Sequence, residues 1–420
     1  MFNSTKQLAH RLNLKPESTV TLTLKASICH KSKLPPQNTY HWPYERRSYG
    51  LLNFFLDPFT RKKFNQNSVV IQVEGNVECG KNDFAHKLAD QLGMKVIEPV
   101  DLEGYYINDH GFDYRALNPL LPERLRQCDW EMFHENPSRH SVIHMHHFLL
   151  KLRLYQYIKA IQHVFNTGQG VILVRSVFTD RVFVEAMHNV GWLPVGYLRG
   201  DGSRFYDWKI RYNFLRQMAL ADVLKPHLTI YLETPVETCL ERIRQSSDPM
   251  IANSNALCPE FLENIEQVYK DIVLPKQDNN GHLMHVDHSK MLSHEEILDV
   301  VDDIELLDFE YDFHDSRFEQ WDPDQSYLWY FFKRREYTTA DCLRPFKQIH
   351  HPWYDIAGLG DSISQADLKL RRGLYEAHVG PVGWFYNFHV DHTVQNPLKL
   401  LFKFRNFQER CCHKWRTEFI

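Results

Sequence analysis

The sequence lacks any apolar run of 18 residues or more, so it predicts no membrane-spanning helix. It also lacks a Cys-x-x-Cys pair. Its eight cysteines are scattered over 420 residues, which excludes a disulfide-rich scaffold and a zinc site built from such pairs. We find no redox-cofactor motif. Neither sign of charge dominates, because 49 Lys and Arg stand against 53 Asp and Glu, and this balance argues against nucleic acid as a partner of the whole chain.

The charge is distributed unevenly along a chain whose composition, 43 % hydrophobic and 24 % charged, is typical of a globular protein. The first 50 residues hold eight Lys and Arg but only two Glu, a net +6, which leaves −10 for the remainder. A basic, Ser- and Thr-containing, nearly acid-free start is typical of a mitochondrial transit peptide, and we predict one over residues 1–35. An ordinary disordered basic terminus is the alternative. A proline-containing lead-in over 36–67 follows.

Strand and helix patterns alternate from residue 68 onward. β-branched and apolar runs predict strands, and apolar residues at helical spacing predict helices between them. The predicted strands are 68–73, 94–97, 170–174 and 227–232, and the predicted helices are 83–92, 140–166, 205–223, 236–244 and 259–273. This alternation indicates an α/β fold, a parallel sheet covered by helices on both faces.

The chain changes character after residue 300. Counted from Phe309 onward, about a quarter of the chain holds 24 of its 56 aromatic residues. The motifs at 327–332 and 384–388 do not fit a simple amphipathic helix. Because so aromatic a segment is usually covered, we predict that 301–420 is an extension that either wraps its own domain or buries aromatic anchors in a partner.

A phosphate-binding loop is predicted between the first strand and the first helix. Residues 75–82 read GNVECGKN and fit the pattern G-x-x-x-x-G-K, with Asn82 where Ser or Thr is expected. Glycines at 75 and 80 let backbone N–H groups turn toward a phosphate, and the following helix N-terminus adds positive potential. Lys81 supplies a charge for the β- and γ-phosphate oxygens. Asn82 is a poor substitute for a hydroxyl in the tight octahedral shell of Mg²⁺.

Four segments, in the same order along the chain, resemble the deoxyribonucleoside kinases. They are 74–81 (EGNVECGK), similar to the E-G-N-I-x-x-G-K loop; 96–100 (VIEPV), similar to the segment of the catalytic glutamate; 175–181 (RSVFTDR), similar to E-R-S-x-x-S-D-R; and 231–243, similar to the strand and helix before the lid. The resemblance implies a P-loop nucleoside-kinase-like domain over 68–300. The lead-in, the extension and the predicted transit peptide (the leader, residues 1–35) resemble one branch of that family, the nucleoside-kinase-like accessory subunits of mitochondrial complex I.

The resemblance also implies roles for individual residues. Glu98 matches the base that takes the proton from the sugar 5′-hydroxyl, although it could equally cap or pair at a strand end. Arg175 matches the arginine that holds the transferring phosphate, with a structural ion pair as the alternative. Arg242 matches the first lid arginine and joins Gly75, Gly80, Lys81 and Asn82 as a predicted nucleotide-binding residue.

A nucleoside pocket is implied in the same way. Arg153 and Asp180 match the pair that reads the base, and His146 stands where the family has Gln. A metal cluster among the histidines at 144–147 is not expected. We predict no metal site of the chain's own.

The positions that would hold Mg²⁺ depart from the family pattern. Asn82 replaces the hydroxyl, and Val174 replaces the glutamate of the E-R-S segment. The lid positions 246–248 carry Ser, Ser and Asp in place of arginines. Phosphoryl transfer depends on Mg²⁺ and cationic side chains, so efficient catalysis is not expected, although the loop can still bind a nucleotide such as ATP, ADP or a deoxynucleotide.

The resemblance therefore predicts a non-catalytic accessory subunit of complex I. Such a subunit would be mitochondrial, peripheral to the inner membrane on the matrix side, and would have other subunits of the complex as partners. Two alternatives remain open: an active mitochondrial deoxyribonucleoside kinase, and a nucleotide-sensing module in which the ligand stabilises assembly.

Overall fold

The computed structural model describes residues 28–33, 41–44, 49, 64–102, 106, 113–120, 126–193, 208–221, 223–309, 316–321 and 327–338. Residues 1–27 of the predicted leader, most of the lead-in and the extension after Thr338, including the motif at 384–388, lie outside the described residues. Within the described part of the chain, no helix is both long enough and apolar enough to cross a membrane.

Five parallel strands form the central sheet. They are β1 Val70–Gly75, β2 Lys95–Ile97, β3 Val171–Val174, β4 Leu228–Glu233 and β5 His282–Asp287. Their spatial order is β2-β3-β1-β4-β5, so that β1 pairs with β3 on one side and with β4 on the other. All six residues of β1 are buried, as expected for the central strand of a sheet covered on both faces.

Eleven helices are described. They are α1 Lys81–Leu92, α2 Trp130–Glu135, α3 His140–Thr167, α4 Arg181–Asn189, α5 Trp208–Leu220, α6 Val236–Arg244, α7 Pro249–Ala252, α8 Pro259–Val268, α9 Leu274–Asp278, α10 His294–Glu305 and α11 Tyr327–Thr338. The connection from β1 to β2 and the later connections run in opposite directions across the sheet. Right-handed crossovers therefore place α1 and the helices that follow β2, β3 and β4 on opposite faces. The last helix after the sheet, α10, packs beside α1.

The predicted strands and helices are confirmed, with shifted ends. The strand predicted at 68–73 is Val70–Gly75, the helix predicted at 205–223 is Trp208–Leu220, and the stretch predicted at 259–273 is α8 followed by a π-helical turn, Tyr269–Val273. Gly93 and Gly168 end α1 and α3 in left-handed conformation, as the sequence indicates.

Strand β5 and helix α10 were not predicted from the sequence. β5 lies at the sheet edge, where only Val286 of its six residues is buried, so the strand shows no continuous apolar run. The signal for α10 is present: the Ser293 side chain accepts from the Glu296 N–H and the Glu296 carboxylate accepts from the Ser293 N–H, a capping box.

Residues 327–332, whose pattern does not fit a simple amphipathic helix, nevertheless open helix α11. Its buried face includes Tyr330, Arg334 and Tyr337, one helical turn apart, whereas Phe332 is 55 % exposed. A buried arginine in the middle of the apolar face and an exposed phenylalanine outside it together conceal the helical pattern.

The described part of the extension packs against its own domain. Phe165, at the end of α3, stacks with the rings of Trp321 and Tyr337 at centroid distances of 6.2 and 6.1 Å. The Tyr330 hydroxyl donates to the Phe165 carbonyl (2.6 Å), and the Leu224 N–H donates to the Tyr337 hydroxyl (3.0 Å). Because Phe165 precedes β3 and Leu224 precedes β4, these contacts close the amino edge of the sheet.

Arg334 ties the extension to both α3 and the lead-in. Its Nε donates to the Asn166 side-chain oxygen Oδ1 at 3.0 Å, and its guanidinium lies 4.1 Å from the centroid of the Tyr49 ring.

We expect Arg334→Ala to lower the free energy of unfolding by about 2–4 kcal/mol, because it leaves a cavity and a buried amide oxygen without a donor. Urea denaturation measures the change. Arg335→Ala, one residue further along the same helix, is the control and should stay within about 0.5 kcal/mol. Equal losses of unfolding free energy in the two variants would contradict the role of Arg334 in joining the extension to α3 and the lead-in.

Candidate nucleotide site

The loop after β1 has the backbone of a phosphate cradle. Gly80 has φ of 89°, and a Cβ at that position would lie 2.7 Å from the Cε1 atom of His288. A Cβ on Gly75 would lie 2.8 Å from the Cys79 sulfur. The chain therefore needs glycine at both predicted positions, for space as well as conformation. The Gly75–Lys81 loop leads directly into α1, whose N-terminal N–H groups favour an anion.

Lys81 lies folded over this loop. Its ammonium group donates to the Gly75 carbonyl at 3.3 Å and to the Asn76 carbonyl, and it lies 3.4 Å from the Cys79 sulfur. The side chain is buried, and this burial lowers the pKa of Lys81 below its usual value. An incoming phosphate would exchange these carbonyl contacts for contacts with a full negative charge, which form stronger hydrogen bonds.

Glu74 is a residue whose role the sequence analysis missed. Its side chain is fully buried at the end of β1. One carboxylate oxygen accepts from the Ser176 N–H (2.8 Å) and the Thr179 hydroxyl (2.6 Å), and the other accepts from the Tyr269 hydroxyl (2.9 Å). Burial raises the pKa of Glu74, while these hydrogen bonds and the charge of Arg175 oppose the rise. The signal in the sequence is an acidic residue that directly follows an apolar strand.

The hydrogen bond from the Ser176 N–H to Glu74 lies in the turn that carries Arg175. This arginine has a left-handed backbone, φ of 63°, and its N–H donates to the Val73 carbonyl at 3.1 Å. A left-handed non-glycine residue is strained and persists only where neighbouring contacts hold it. The guanidinium lies 4.6 Å from the centroid of the Phe183 ring and has no hydrogen-bond or carboxylate partner within the described part of the chain. Arg175 is thus held at the carboxyl edge of the sheet with its donors available to an anion.

Neither position at which the family pattern places an Mg²⁺ ligand offers a suitable oxygen. Asn82 is exposed at the start of α1, and Val174 is 1 % exposed within β3, where it pairs with Val73. The buried carboxylate before the loop, Glu74, has both of its oxygens engaged, and Asp83, which follows Asn82 directly, pairs with Lys87 at 2.7 Å. Among the residues that the structure describes, no group of three or more His, Cys, Asp and Glu side chains is arranged to hold a metal ion.

The structure brings together the predicted base-reading pair. Arg153, on α3, forms a buried ion pair with Asp180, and the Tyr212 hydroxyl donates to the second oxygen of the same carboxylate. Burial lowers the pKa of Arg153 to about 10, so the guanidinium stays charged at neutral pH. A buried ion pair of this kind is strongly destabilised by removal of either partner.

His146 lines a small cavity beside this pair. The cavity measures about 10 Å³, room for about one water molecule, and its described lining is Ile143, His146, His147, Val184, Leu193 and Tyr212. Both ring nitrogens of His146 are buried without a hydrogen-bond partner. Burial, assisted by the charges of Arg153 and His147, lowers the pKa of His146 to about 3, so the ring is neutral at pH 7. In this conformation the cavity is too small for a nucleobase.

Glu98 lies apart from these buried groups. Its side chain is 55 % exposed and pairs with the imidazole of His86 at 2.6 Å. The Gln156 side chain donates to the Glu98 carbonyl. Because Gln156 follows Arg153 by one helical turn on α3, this bond places the Glu98 backbone along the same helix as the ion pair.

Arg242 holds two loops together. Its guanidinium donates to the carbonyls of Cys79 (3.0 Å), His288 (3.2 Å) and Ser289 (3.1 Å), which joins the phosphate loop to the segment after β5. The side chain therefore already uses three donors for backbone oxygens. As a predicted nucleotide contact, Arg242 lies beside the loop, but its present hydrogen bonds are structural.

The residues matched by the deoxynucleoside kinase family model run from 71 to 307, more than half of the chain. The chain belongs to the deoxynucleoside kinase family. The chain is 34 % identical, over 263 residues, to a protein of Rattus norvegicus, NADH dehydrogenase (ubiquinone) 1 alpha subcomplex subunit 10, mitochondrial. That match covers 62 % of this chain and 68 % of the relative, and it makes the two proteins homologous.

Two kinases are similar to this chain at lower identity than the rat subunit. The chain is 27 % identical to the deoxyguanosine kinase of Dictyostelium discoideum over 229 residues, which cover 54 % of this chain and 67 % of that enzyme. The solved deoxyadenosine kinase from M. mycoides with bound dATP aligns at 16 % identity and a TM-score of 0.38, covering 56 % of this chain and 97 % of that chain. Family membership rests on the sequence matches.

The contacts of Arg242 predict a structural effect of its removal. We expect Arg242→Ala to lower the free energy of unfolding by about 1–3 kcal/mol, because three backbone carbonyls lose a charged donor. Arg244→Ala is the matched control, since Arg244 is exposed at the end of the same helix, and it should change stability by less than about 0.5 kcal/mol. Denaturant unfolding of both variants tests this, and an unchanged midpoint for Arg242→Ala would exclude the loop-joining role.

Proposed function

We propose that this protein is an accessory, non-catalytic subunit of mitochondrial complex I whose deoxynucleoside kinase domain has lost efficient catalysis. One observation carries the proposal: at the sheet edge where the family pattern places Mg²⁺, Asn82 offers an exposed amide and Val174 a buried hydrocarbon. The 34 % identity to subunit 10 of the alpha subcomplex supports the assignment to that assembly.

The chemistry of phosphoryl transfer explains why these two positions matter. The transition state carries negative charge on the transferring oxygens, and Mg²⁺ with cationic side chains neutralises it. Removal of one such electrostatic contact typically costs a factor of about 10²–10³ in rate. Losses at neighbouring positions need not add. Three other carboxylates of the domain do not replace the lost ligands, because Glu74 and Asp180 are engaged by buried donors and Glu98 is engaged by His86.

Nucleotide binding is supported better than catalysis. The glycine geometry of the loop, the start of α1, Lys81 and the unpartnered Arg175 together fit a phosphate chain. Binding requires only these ground-state contacts, whereas catalysis requires contacts that strengthen in the transition state. We therefore propose that a nucleotide, of the ATP, ADP or deoxynucleotide class, occupies the loop as a structural ligand.

The proposed cellular setting is the matrix side of the inner membrane, where the protein would be peripheral. In this setting the extension contributes in two parts. Residues 316–321 and 327–338 belong to the fold, because they pack on α3 and on the segment before β4. We propose that residues after Thr338 contribute to docking on the complex.

Gentle solubilisation of mitochondria followed by native electrophoresis tests the assembly. We expect the full chain to migrate with the complex. A chain that ends at Thr338 should keep its fold, because it retains α11, but should migrate as a free protein. Normal incorporation of this shortened chain would exclude docking by the extension. Migration of the full chain as a small free protein would overturn the proposed function itself.

An active deoxyribonucleoside kinase is the alternative, favoured by the Arg153–Asp180 pair and by the retention of Lys81, Arg175 and Glu98. We expect purified protein with ATP, Mg²⁺ and a panel of deoxynucleosides to turn over more slowly than about 10⁻² s⁻¹, compared with about 1–100 s⁻¹ for kinases. Turnover near 1 s⁻¹ would establish the alternative.

Restoring the metal positions provides a matched comparison for this assay. Asn82→Ser combined with Val174→Glu should raise Mg²⁺-dependent turnover by a factor of about 10 or more, because it returns oxygen ligands to both positions. Asn82→Ala combined with Val174→Ala is the control and should not. Since Val174 is buried, the single variant Asn82→Ser serves if the double variant does not fold, and it should strengthen the Mg²⁺ dependence of ATP binding.

A further inference from the structure

Residues 28–33 lie within the predicted leader, yet they are part of the folded domain. Ile28 is 1 % exposed and belongs to the main hydrophobic core, and Cys29 is 8 % exposed. The chain then forms a short 3-10 turn, Lys31–Lys33, at the surface. A targeting sequence that is removed after import does not ordinarily contribute side chains to the core of the mature protein.

A buried asparagine binds the backbone of this segment. The Asn67 side chain, 2 % exposed, accepts from the Cys29 N–H at 2.9 Å and donates to the Cys29 carbonyl at 2.6 Å. The same amide group donates to the Leu92 carbonyl at 2.8 Å. Asn67 thereby joins three points: the segment at Cys29, the end of α1 and the approach to β1.

His30 extends these contacts to a second helix. Its N–H donates to the Glu305 carboxylate on α10 at 2.8 Å, and its Nε2 lies 3.0 Å from the Gln91 side-chain oxygen on α1. The segment therefore bridges α1 and α10, which pack against each other. Loss of the segment would remove Ile28 from the core and leave the Asn67 oxygen, which is buried, without its donor.

We propose that the mitochondrial leader ends before Ile28, and that the mature chain retains residues 28–33 as a clamp on α1 and α10. In the processing step, a matrix peptidase hydrolyses one peptide bond on the amino-terminal side of Ile28. One water molecule is consumed, a carboxylate forms on the released peptide, and an α-amino group forms on the retained chain. This inference rests on the proposed mitochondrial location.

The retained segment is tested by mass spectrometry of the N-terminus of the full chain after import into isolated mitochondria. We expect the mature protein to begin at residue 28 or earlier, but after Met1. A mature chain that begins at residue 29 or later, or an imported chain that is never cut, overturns the proposal. Protease protection of the imported chain reports on mitochondrial location separately. A chain that is not imported into mitochondria contradicts the proposed function. The melting temperatures of the variants described next then test the clamp by themselves.

Stability of the uncut protein tests the clamp without any processing. Ile28→Ala in the full chain should lower the melting temperature by about 5 °C or more, because it empties a fully buried position. Lys31→Ala, three residues further along and exposed, is the control and should leave the melting temperature within about 1 °C. Equal melting temperatures for Ile28→Ala and the unaltered chain would overturn the structural role of the segment.

Discussion

The carboxylate of Glu74 is the contact on which the site depends. It lies at the end of the central strand, just before the phosphate loop, and receives hydrogen bonds from the turn after β3 and from the π-helical turn after α8. A buried carboxylate is costly unless its oxygens are satisfied, so these three donors and Glu74 hold one another in place. The left-handed turn at Arg175 and the position of the loop both follow from this arrangement.

The charged groups at the carboxyl edge are mostly satisfied within the protein. Arg153 pairs with Asp180, Lys81 bonds to loop carbonyls, and Arg242 bonds to the carbonyls of two loops. Arg175 differs, since among the described residues its guanidinium has no hydrogen-bond partner and lies over one aromatic ring, that of Phe183. A site built in this way can receive an anion by exchanging backbone contacts for phosphate contacts, whereas the two positions of the family's Mg²⁺ ligands, Asn82 and Val174, carry no carboxylate.

The amino edge of the sheet serves stability. The N-terminal segment binds there to Asn67, which precedes β1 and also bonds to Leu92 before β2. The extension binds to Asn166 and Leu224, which precede β3 and β4. Both flanking segments lie outside the range matched by the family model. The kinase fold of this chain therefore carries additional clamps at the edge opposite the nucleotide site, where they do not obstruct the loop.

The sequence by itself determined the parallel α/β fold, the phosphate loop and the two altered metal positions. The fold and the loop depend on local order, because a β-branched run, glycines at fixed spacing and a helix start can be recognised without any distant partner. The altered metal positions, Asn82 and Val174, follow from the resemblance to the deoxyribonucleoside kinases. The structure decided what needs contacts between distant residues. Glu74 is a structural carboxylate because Ser176, Thr179 and Tyr269 donate to it. The aromatic segment at 327–338 is a helix whose buried Arg334 bonds to Asn166, a residue far away in the sequence. Arg242 became a link between loops because three carbonyls converge on it, and no spacing in the sequence specifies that convergence.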